Sequence, residues 1–477
     1  MYLKNNILNN FKKNKIFKII SNLSNKLNYK SYLIGGYVRN IFLNIFNNLD
    51  IDIVTTGDSL IIAKYFSYII SSKKIYIFKR YKTAIVKYKN INIEFVSTRK
   101  EFYNIYDNKP YIKKLKNIKD DQIRRDFTIN TIAISLNKKN FGKIFDTFNG
   151  IKDIKNKIIK TPINPNITFY DDPLRMIRAI RFSTQFKFKI DNISKISIKK
   201  NLDRIRIISI ERIIQEFNKI LLCNKPSIGL KLMYKFGFLS IILPEFINLK
   251  GKDIDNINGY SYKDNFIHTL KVLDKISKYT NNLWLRWATL LHDIGKPISK
   301  QYDVKKGWTL YKHEIIGSNM IPYIFHKLKL PMKNNLKYVQ TIIKYSNLPI
   351  ILSKENVKNT TIKKFIYKIG KKKINIKDII TLCNCDITTN NKKKEKEMIY
   401  KVNKLYKKIK KIKDYDKIYN FKIPITGHDI IKILNIKPSK NIGKIKNYIK
   451  NSILKGKIKN NYKEALNLIK NLNKKKL

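Results

Sequence analysis

The tightest constraint on this chain lies in Leu33-Ile34-Gly35-Gly36-Tyr37-Val38-Arg39 and the Asp50-Ile51-Asp52 that follows it. The apolar run Tyr32-Leu33-Ile34 predicts a short strand, the two glycines a turn, Tyr37 to Phe46 a helix, and Ile51 to Val54 a second strand. Residues i and i+2 of a strand face one side, so Asp50 and Asp52 converge while Ile51 and Ile53 face the core. Paired like charges on a short strand repel, and two carboxylates on one rigid edge suit Mg²⁺ held against phosphates. Backbone N–H groups at the Gly35-Gly36 turn and the helix start can bind phosphate, and glycine permits the close approach. A third acid, Glu94, lies on a strand whose Ile91, Ile93 and Phe95 take one face and Asn92 and Glu94 the other. Three acids on neighbouring strands suit two metal ions, one activating an attacking hydroxyl and one stabilising a leaving pyrophosphate.

Around this core, residues 1–30 read as a helix with Ile7, Phe11, Ile16, Phe17, Ile20 and Leu23 as its apolar stripe. Ser59 to Ile70 is helical, and Ile75 to Phe78, Ala84 to Tyr88 and Ile91 to Val96 read as successive strands, making the first 150 residues α/β. From about residue 165 the patterns are helical without strands. Trp284 to Leu291, Ile315 to Leu328 and Ile430 to Ile458 are the clearest, with breaks at Pro297, Pro331, Pro349 and Pro438. Only 16 Gly and 12 Pro in 477 residues agree with a mostly helical chain.

An apolar content of 43% excludes a wholly disordered chain. No apolar run reaches the ~18 residues of a membrane helix, so no membrane span is expected. Three cysteines, with Cys383 and Cys385 one residue apart, make neither a disulfide framework nor a zinc motif, and a cytoplasmic setting is expected. The net charge of +66 points to a polyanionic partner, although the excess of Lys, Ile, Asn, Tyr and Phe also fits AT-rich codons.

A second group of chemistry-bearing residues occupies the helical half. His268 begins a helix, and His292-Asp293-Ile294-Gly295-Lys296 follows the apolar helix Trp284 to Leu291. Adjacent His and Asp side chains reach one site only where a helix ends or bends. Mixed imidazole and carboxylate donors suit Mn²⁺, Fe²⁺, Ni²⁺ or Zn²⁺ better than Mg²⁺. His313-Glu314 is a possible extension, whereas His326 and His428 read as surface or packing residues.

The glycine turn with Asp50-Ile51-Asp52 resembles the nucleotidyltransferase signature. Further motifs narrow the resemblance to the class II tRNA nucleotidyltransferase (CCA-adding enzyme) and bacterial poly(A) polymerase family with an HD domain. Asp121-Gln122-Ile123-Arg124-Arg125-Asp126-Phe127-Thr128-Ile129-Asn130 resembles its RRDFTIN motif, and Glu211-Arg212-Ile213 its ERI motif. Asp171-Asp172-Pro173-Leu174-Arg175 with Arg178-Ala179-Ile180-Arg181-Phe182 resembles its base-selecting EDxxR helix. Asp172 and Arg175, at i and i+3, are expected on one helix face, presenting acceptors and donors to the edge of C or A. Two departures stand out: Asn40 replaces the Asp of GGxVRD, removing a carboxylate beside Arg39, and Asp171 replaces the Glu of EDxxR. His292-Asp293 with Asp386 resembles the HD phosphohydrolases, whose metal set falls on His268, His292, Asp293 and Asp386. Ser346-Asn347-Leu348-Pro349 stands where relatives with a second HD histidine carry HxRP. Pro424 to Ile431 and Pro438 to Gly443 resemble the helical region after the HD domain, where Lys interleaved with Tyr406, Tyr415, Tyr419 and Tyr448 suits an RNA backbone.

The resemblance implies an α/β nucleotidyltransferase head with a mixed or antiparallel sheet, followed by all-α neck, HD and tail regions. The expected division is an N-terminal helix (1–30), head (31–160), neck (161–250), HD domain (255–395) and basic tail (396–477). It implies addition of CCA to tRNA from CTP and ATP, with Asp50, Asp52 and Glu94 catalytic and Mg²⁺ on Asp50 and Asp52. Gly35, Gly36, Arg39, Arg124, Arg125, Asp126, Asp172, Arg175, Arg178 and Arg181 would bind the nucleotide. Poly(A) addition, or an HD phosphohydrolase with an RNA-binding front domain, are the alternatives.

Overall fold

The computed structural model describes residues 1–45, 50–102, 111–114, 117–251, 264–305, 307–355, 357–389, 391–412, 419 and 422–473. Phe46, Tyr415 and the expected start of the HD region near 255 lie outside the described residues. The chain divides into two compact units, Met1–Ile242 and Leu243–Leu477.

The first unit is built on a seven-stranded mixed sheet of β1 (Ser31–Ile34), β2 (Ile51–Thr55), β3 (Ile75–Phe78), β4 (Thr83–Tyr88), β5 (Ile91–Ser97), β6 (Ala133–Ser135) and β7 (Ile144–Phe145). Its order is β3-β4-β5-β2-β1-β6-β7. Only β2 and β5 pair in parallel, with Asp52 opposite Glu94. Alternation fixes the faces: Ile53, Ala84, Val86, Ile93 and Phe95 are buried together. Phe66 of helix Ser59–Ile69 packs on Phe95, with ring centroids 5.3 Å apart. The opposite face is closed at one end by Tyr32, Ile34, Val54, Val96, Ile118 and Ala133, and the carboxylates lie beyond that cluster.

Helices complete this unit. The N-terminal segment is two helices, Asn5–Lys13 and Lys15–Lys26, where the sequence pattern predicts one. Asn14 interrupts it: its backbone is extended, and its side chain accepts the Ile16 N–H as an N-cap. Helices Leu174–Phe186, Ile210–Leu221 and Pro226–Phe236 pack together around Ile177, Ile180, Phe217, Ile220 and Leu230. The expectation of no strand beyond about residue 165 is corrected. Lys189–Ile190 pairs in parallel with Ile158–Ile159, and Gln301–Asp303 forms a hairpin with Gly307–Thr309. Runs of two or three residues are too short to carry a readable alternation.

The second unit is mainly helical. Helices Asn265–Ile276, Leu283–Leu291, His313–Lys327, Asn334–Lys344 and Ile376–Asp386 surround a core containing the fully buried Trp287 and Arg286. Arg286 donates to the carbonyls of Thr280 and Ser277 at 3.0 and 3.1 Å, closing the end of the preceding helix. The predicted span Ile430 to Ile458 is two helices, Gly427–Leu434 and Lys440–Leu454, flanking the break at Pro438. With Tyr462–Asn473 they enclose their own cluster of Ile425, Ile430, Ile445, Ile449, Ala465 and Ile469. Among the described residues, no helix is long and apolar enough to cross a membrane.

One close approach positions the histidines of this unit. A Cβ on Gly295 would sit 2.2 Å from the His313 carbonyl oxygen and 2.5 Å from the Gly317 nitrogen. Those are backbone atoms, so Gly295→Ala should lower the stability of this unit by about 1–3 kcal/mol in urea unfolding. An unchanged midpoint would mean that the approach is not tight.

Candidate active site

The first site is set by sheet register. Asp52 lies on β2 between Ile34 of β1 and Glu94 of β5, and Asp50 immediately precedes β2, accepting the Asn92 N–H at 3.0 Å. Gly35 has φ +80°, and a Cβ there would fall 2.4 Å from Asp52 Oδ2 and 3.3 Å from an Arg125 Nη. Gly36 donates its backbone N–H to the Asp52 carboxylate. The glycine turn is therefore wrapped around a carboxylate as well as opening a helix. Burial pushes the pKa values of Asp52 and Glu94 upward; Arg125 pulls both down, while Asp50 raises Asp52 and Asp52 raises Glu94. Such mutually repelling, partly desolvated acids fit a divalent cation. They are not drawn into one tight cluster: among the described residues, the only group of three potential donors within 4.8 Å is His268, His292 and Asp386.

Behind the carboxylates runs a network of arginines. Arg39 donates to Asn40 Oδ1 from Nε (3.1 Å) and Nη2 (2.8 Å), and from Nη1 to Asn130 Oδ1 (2.8 Å). The amide of Asn40 thus orients Arg39 without supplying a countercharge. The Arg39 guanidinium lies 5.1 and 4.6 Å from the ring centroids of Phe182 and Phe186, and burial together with Arg181 lowers its pKa to about 10. Asn130 donates to Asp126 Oδ1 at 2.9 Å, and Arg178 binds Asp126 Oδ2 through Nε (2.9 Å) and Nη2 (2.5 Å). The buried Glu216 receives Arg181 Nε at 2.5 Å and lies 3.7 Å from Arg178. Asp121, fully buried, accepts from both Arg124 and Arg125.

Asp172 and Arg175 do not share a helix face. Asp172 has extended backbone geometry (φ −136°, ψ 95°) between helices Pro165–Asp171 and Leu174–Phe186. Pro173 is the cause, since the residue before proline is driven out of the α region. Asp172 accepts the Leu174 N–H at 3.3 Å and lies 3.5 Å from Arg212, while Arg175 donates to the Arg124 carbonyl at 2.7 Å. Asp121, Asn130 and Arg212 fall inside quoted motifs without individual site roles, and Glu216 falls outside them. Asp121 was signalled by its i+3 and i+4 spacing to Arg124 and Arg125, and Asn130 by its i+4 spacing to Asp126. Glu216 carried no local signal.

In the second unit, His292 is the C-terminal cap of helix Leu283–Leu291, which lets it and Asp293 reach one place. His292 Nδ1 donates to the Thr289 carbonyl (2.7 Å), leaving Nε2 3.1 Å from Asp386 Oδ1; His268 Nε2 is 2.8 Å from the same oxygen. Burial opposes protonation of His292, but Asp293 and Asp386 push its pKa up to about 9. Asp293 is drawn toward Lys296 at 2.6 Å and stays 3.4 and 3.9 Å from the two histidines. His313 lies 3.9 Å from Asp293, whereas Glu314 accepts from Asn347 at 2.6 Å. Tyr419 donates its hydroxyl to the Ile374 carbonyl at 2.8 Å, a packing role.

Comparison with known proteins agrees with this geometry. Residues 31–160 match the family described as the Poly A polymerase head domain, 187–249 the probable RNA and SrmB-binding site of polymerase A, and 265–382 the HD domain. The CCA-adding enzyme of Lactobacillus helveticus is 35% identical over 193 residues, 40% of this chain and 46% of that enzyme. That of Staphylococcus epidermidis is 28% identical over 355 residues, 71% of this chain and 84% of the relative. The A-adding tRNA nucleotidyltransferase of Aquifex aeolicus is 32% identical over 219 residues, 46% of this chain but 26% of that protein. The chain thus spans less than half the length of two of these relatives. The crystal structure of the Bacillus stearothermophilus CCA-adding enzyme with CTP superposes with a TM-score of 0.66 at 18% identity, covering 97% of this chain and 98% of that one, a likeness of fold. The chain thus carries head, RNA-binding and HD segments in this order. Its segments match the Poly A polymerase head, RNA-binding and HD domain families, and the chain is similar to CCA-adding enzymes and A-adding tRNA nucleotidyltransferases.

Two outcomes follow for the first site. Gly35→Ala forces Asp52 to move and should cost on the order of 10²-fold in any reaction Asp52 serves, measured as kcat/KM; a loss under threefold would contradict the close approach. Burial alone would raise the Asp126 pKa, but Arg178 and Asn130 hold it well below the usual carboxylate range. A depressed pKa gives stability that is complete above the unfolded value of about 4 and is lost as pH falls through the folded value. Acid unfolding below about pH 4 should therefore be less steep in Asp126→Asn than in the unmodified chain.

Proposed function

We propose that this protein adds the terminal CCA of tRNA from CTP and ATP without a nucleic-acid template. The carrying observation is the register that sets Asp52 beside Glu94 at the mouth of an arginine-lined site. Relatives named CCA-adding enzyme and solved structures of such enzymes with CTP and with a primer tRNA support the substrates. Asp50 and Asp52, aided by Glu94, would hold Mg²⁺. When bound, that ion lowers the pKa of the acceptor's 3′-hydroxyl and offsets charge developing on the triphosphate. Gly35, Arg39, Arg124 and Arg125 supply an N–H donor and positive charge for the phosphates, while the Gly36 N–H holds the Asp52 carboxylate at the turn. Asp126 orients Arg178 and, through Asn130, Arg39. Asp172 and Arg175 read the base from a helix entrance rather than a helix face. Because a wrong base would leave their donors and acceptors unpaired, they discriminate without a template. The setting is the cytoplasm, where tRNA and both nucleotides are available.

In the second unit, His268, His292 and Asp386 would hold a divalent transition metal, Mn²⁺, Fe²⁺, Ni²⁺ or Zn²⁺, with Asp293 shared with Lys296. Their Nε2 and carboxylate donors already face one another, with both imidazole Nδ1 atoms engaged elsewhere. His292→Ala should lower the stoichiometry of bound metal by at least half in elemental analysis while nucleotide addition persists.

The function is tested by incubating the protein with Mg²⁺ and a tRNA ending before CCA, with labelled CTP and ATP singly and together. Two C followed by one A is expected. Long A tails from ATP alone would make it a poly(A) polymerase. No incorporation, together with phosphodiesterase activity lost in His292→Ala, would assign the function to the HD site instead.

A further inference from the structure

The sheet face that carries the carboxylates does not end at Glu94. Directly opposed residues of neighbouring strands share a face, and the register runs from Asp52 to Glu94, from Glu94 to Ile85, and from Ile85 to Tyr76. The next row runs from Asp50, which accepts the Asn92 N–H, through Asn92 and its partner Lys87 to Lys74, whose carbonyl accepts the Lys87 N–H at 3.0 Å. At about 4.8 Å per strand, Tyr76 lies some 14 Å across the sheet from Asp52.

This outer part of the face is open. Tyr76 is 49% and Phe78 46% exposed, and both project to the same side because they are two residues apart on the edge strand β3. At the end of the sheet, where β3 begins and β4 turns into β5, is a cleft of about 740 Å³ lined by Lys73, Lys74, Lys87, Lys89, Asn92 and Ser72 among others. From Ser71 to Asn92 the chain has seven Lys and Arg and no Asp or Glu. Exposed lysines are common in a chain with 100 Lys and Arg, and their number alone assigns nothing. Their placement does: Lys87 and Lys74 lie in the row beyond the carboxylates, away from the apolar cluster, Tyr76 lies in the carboxylates' own row at the sheet edge, and Phe78 lies one row further, in line with Val96.

We propose that Lys74, Lys87 and Lys89, with Tyr76 and Phe78, form a subsite for the single-stranded 3′ end of the RNA acceptor, a reading that deepens the nucleotidyl transfer proposed above. Nucleotides preceding a terminal 3′-hydroxyl at the Asp50, Asp52 and Glu94 edge have this exposed face open to them. The lysines neutralise backbone phosphates, and the rings stack on unpaired bases irrespective of sequence. Incoming CTP or ATP, held by the arginine network, does not need this surface.

The test uses the full-length protein and a tRNA transcript ending before CCA. Binding without nucleotide is measured over a range of salt concentrations for Lys74→Ala/Lys87→Ala and for Tyr76→Ala/Phe78→Ala, with thermal unfolding as a check on folding. The lysine variant should weaken RNA binding about tenfold and reduce the slope of log K against log salt by about 1.4. Its KM for CTP and ATP should stay within about twofold of the unmodified value. The aromatic variant should lose about tenfold for RNA with an unpaired 3′ end and little for RNA whose 3′ end is base-paired. Unchanged RNA affinity and salt slope in a folded lysine variant overturn the subsite, as does a rise confined to the nucleotide KM. If the unmodified protein binds RNA with this dependence yet adds no nucleotide, the subsite stands and the transfer reading falls.

Discussion

The parallel pairing of β2 with β5 is the constraint on which the first unit depends. It opposes Asp52 to Glu94 and, through the antiparallel β4 and β3, extends their row to Tyr76. A slip of one residue would turn Ile51 and Ile53 outward and drive the carboxylates into the layer containing Phe95 and Phe66. That slip is opposed by the fully buried Ile53, Ile93 and Phe95. Packing on the covered face therefore holds charge in place on the open one.

The arginine network extends this order from sheet to helices. Arg39, Asn130, Asp126, Arg178, Glu216 and Arg181 form a connected path from the glycine turn to helix Ile210–Leu221. Removing one member of such a buried set leaves another charge unpaired, at a cost of about 3–5 kcal/mol. Asn40 gives this path a particular balance. Its neutral amide keeps Arg39 in register but leaves the guanidinium charge for an anionic ligand to meet, consistent with a triphosphate site.

Much of this was legible in the residues. β3 was placed at Ile75–Phe78 and the other expected strands within a residue, because apolar alternation and the glycine turn are local signals. The histidine and aspartate at a helix end were legible for the same reason. The break at Asn14 and the extended Asp172 were written in local chemistry, an N-cap and a following proline, but were masked by the longer helical patterns around them. Glu216 was not legible at all. Its value comes from Arg178 and Arg181, brought to it by helix packing, and no spacing in the chain announces that.

The central claim is that carboxylates of one sheet row, rather than the histidine cluster of the second unit, carry nucleotide transfer. Its most direct measurement is the single-turnover rate of nucleotide addition, at saturating RNA and nucleotide, for Asp52→Asn, Glu94→Gln and His268→Ala. The account predicts losses of roughly 10³-fold or more for Asp52→Asn and a substantial loss for Glu94→Gln, with His268→Ala within about threefold. A rate within tenfold in Asp52→Asn, or a collapse confined to His268→Ala, would contradict it.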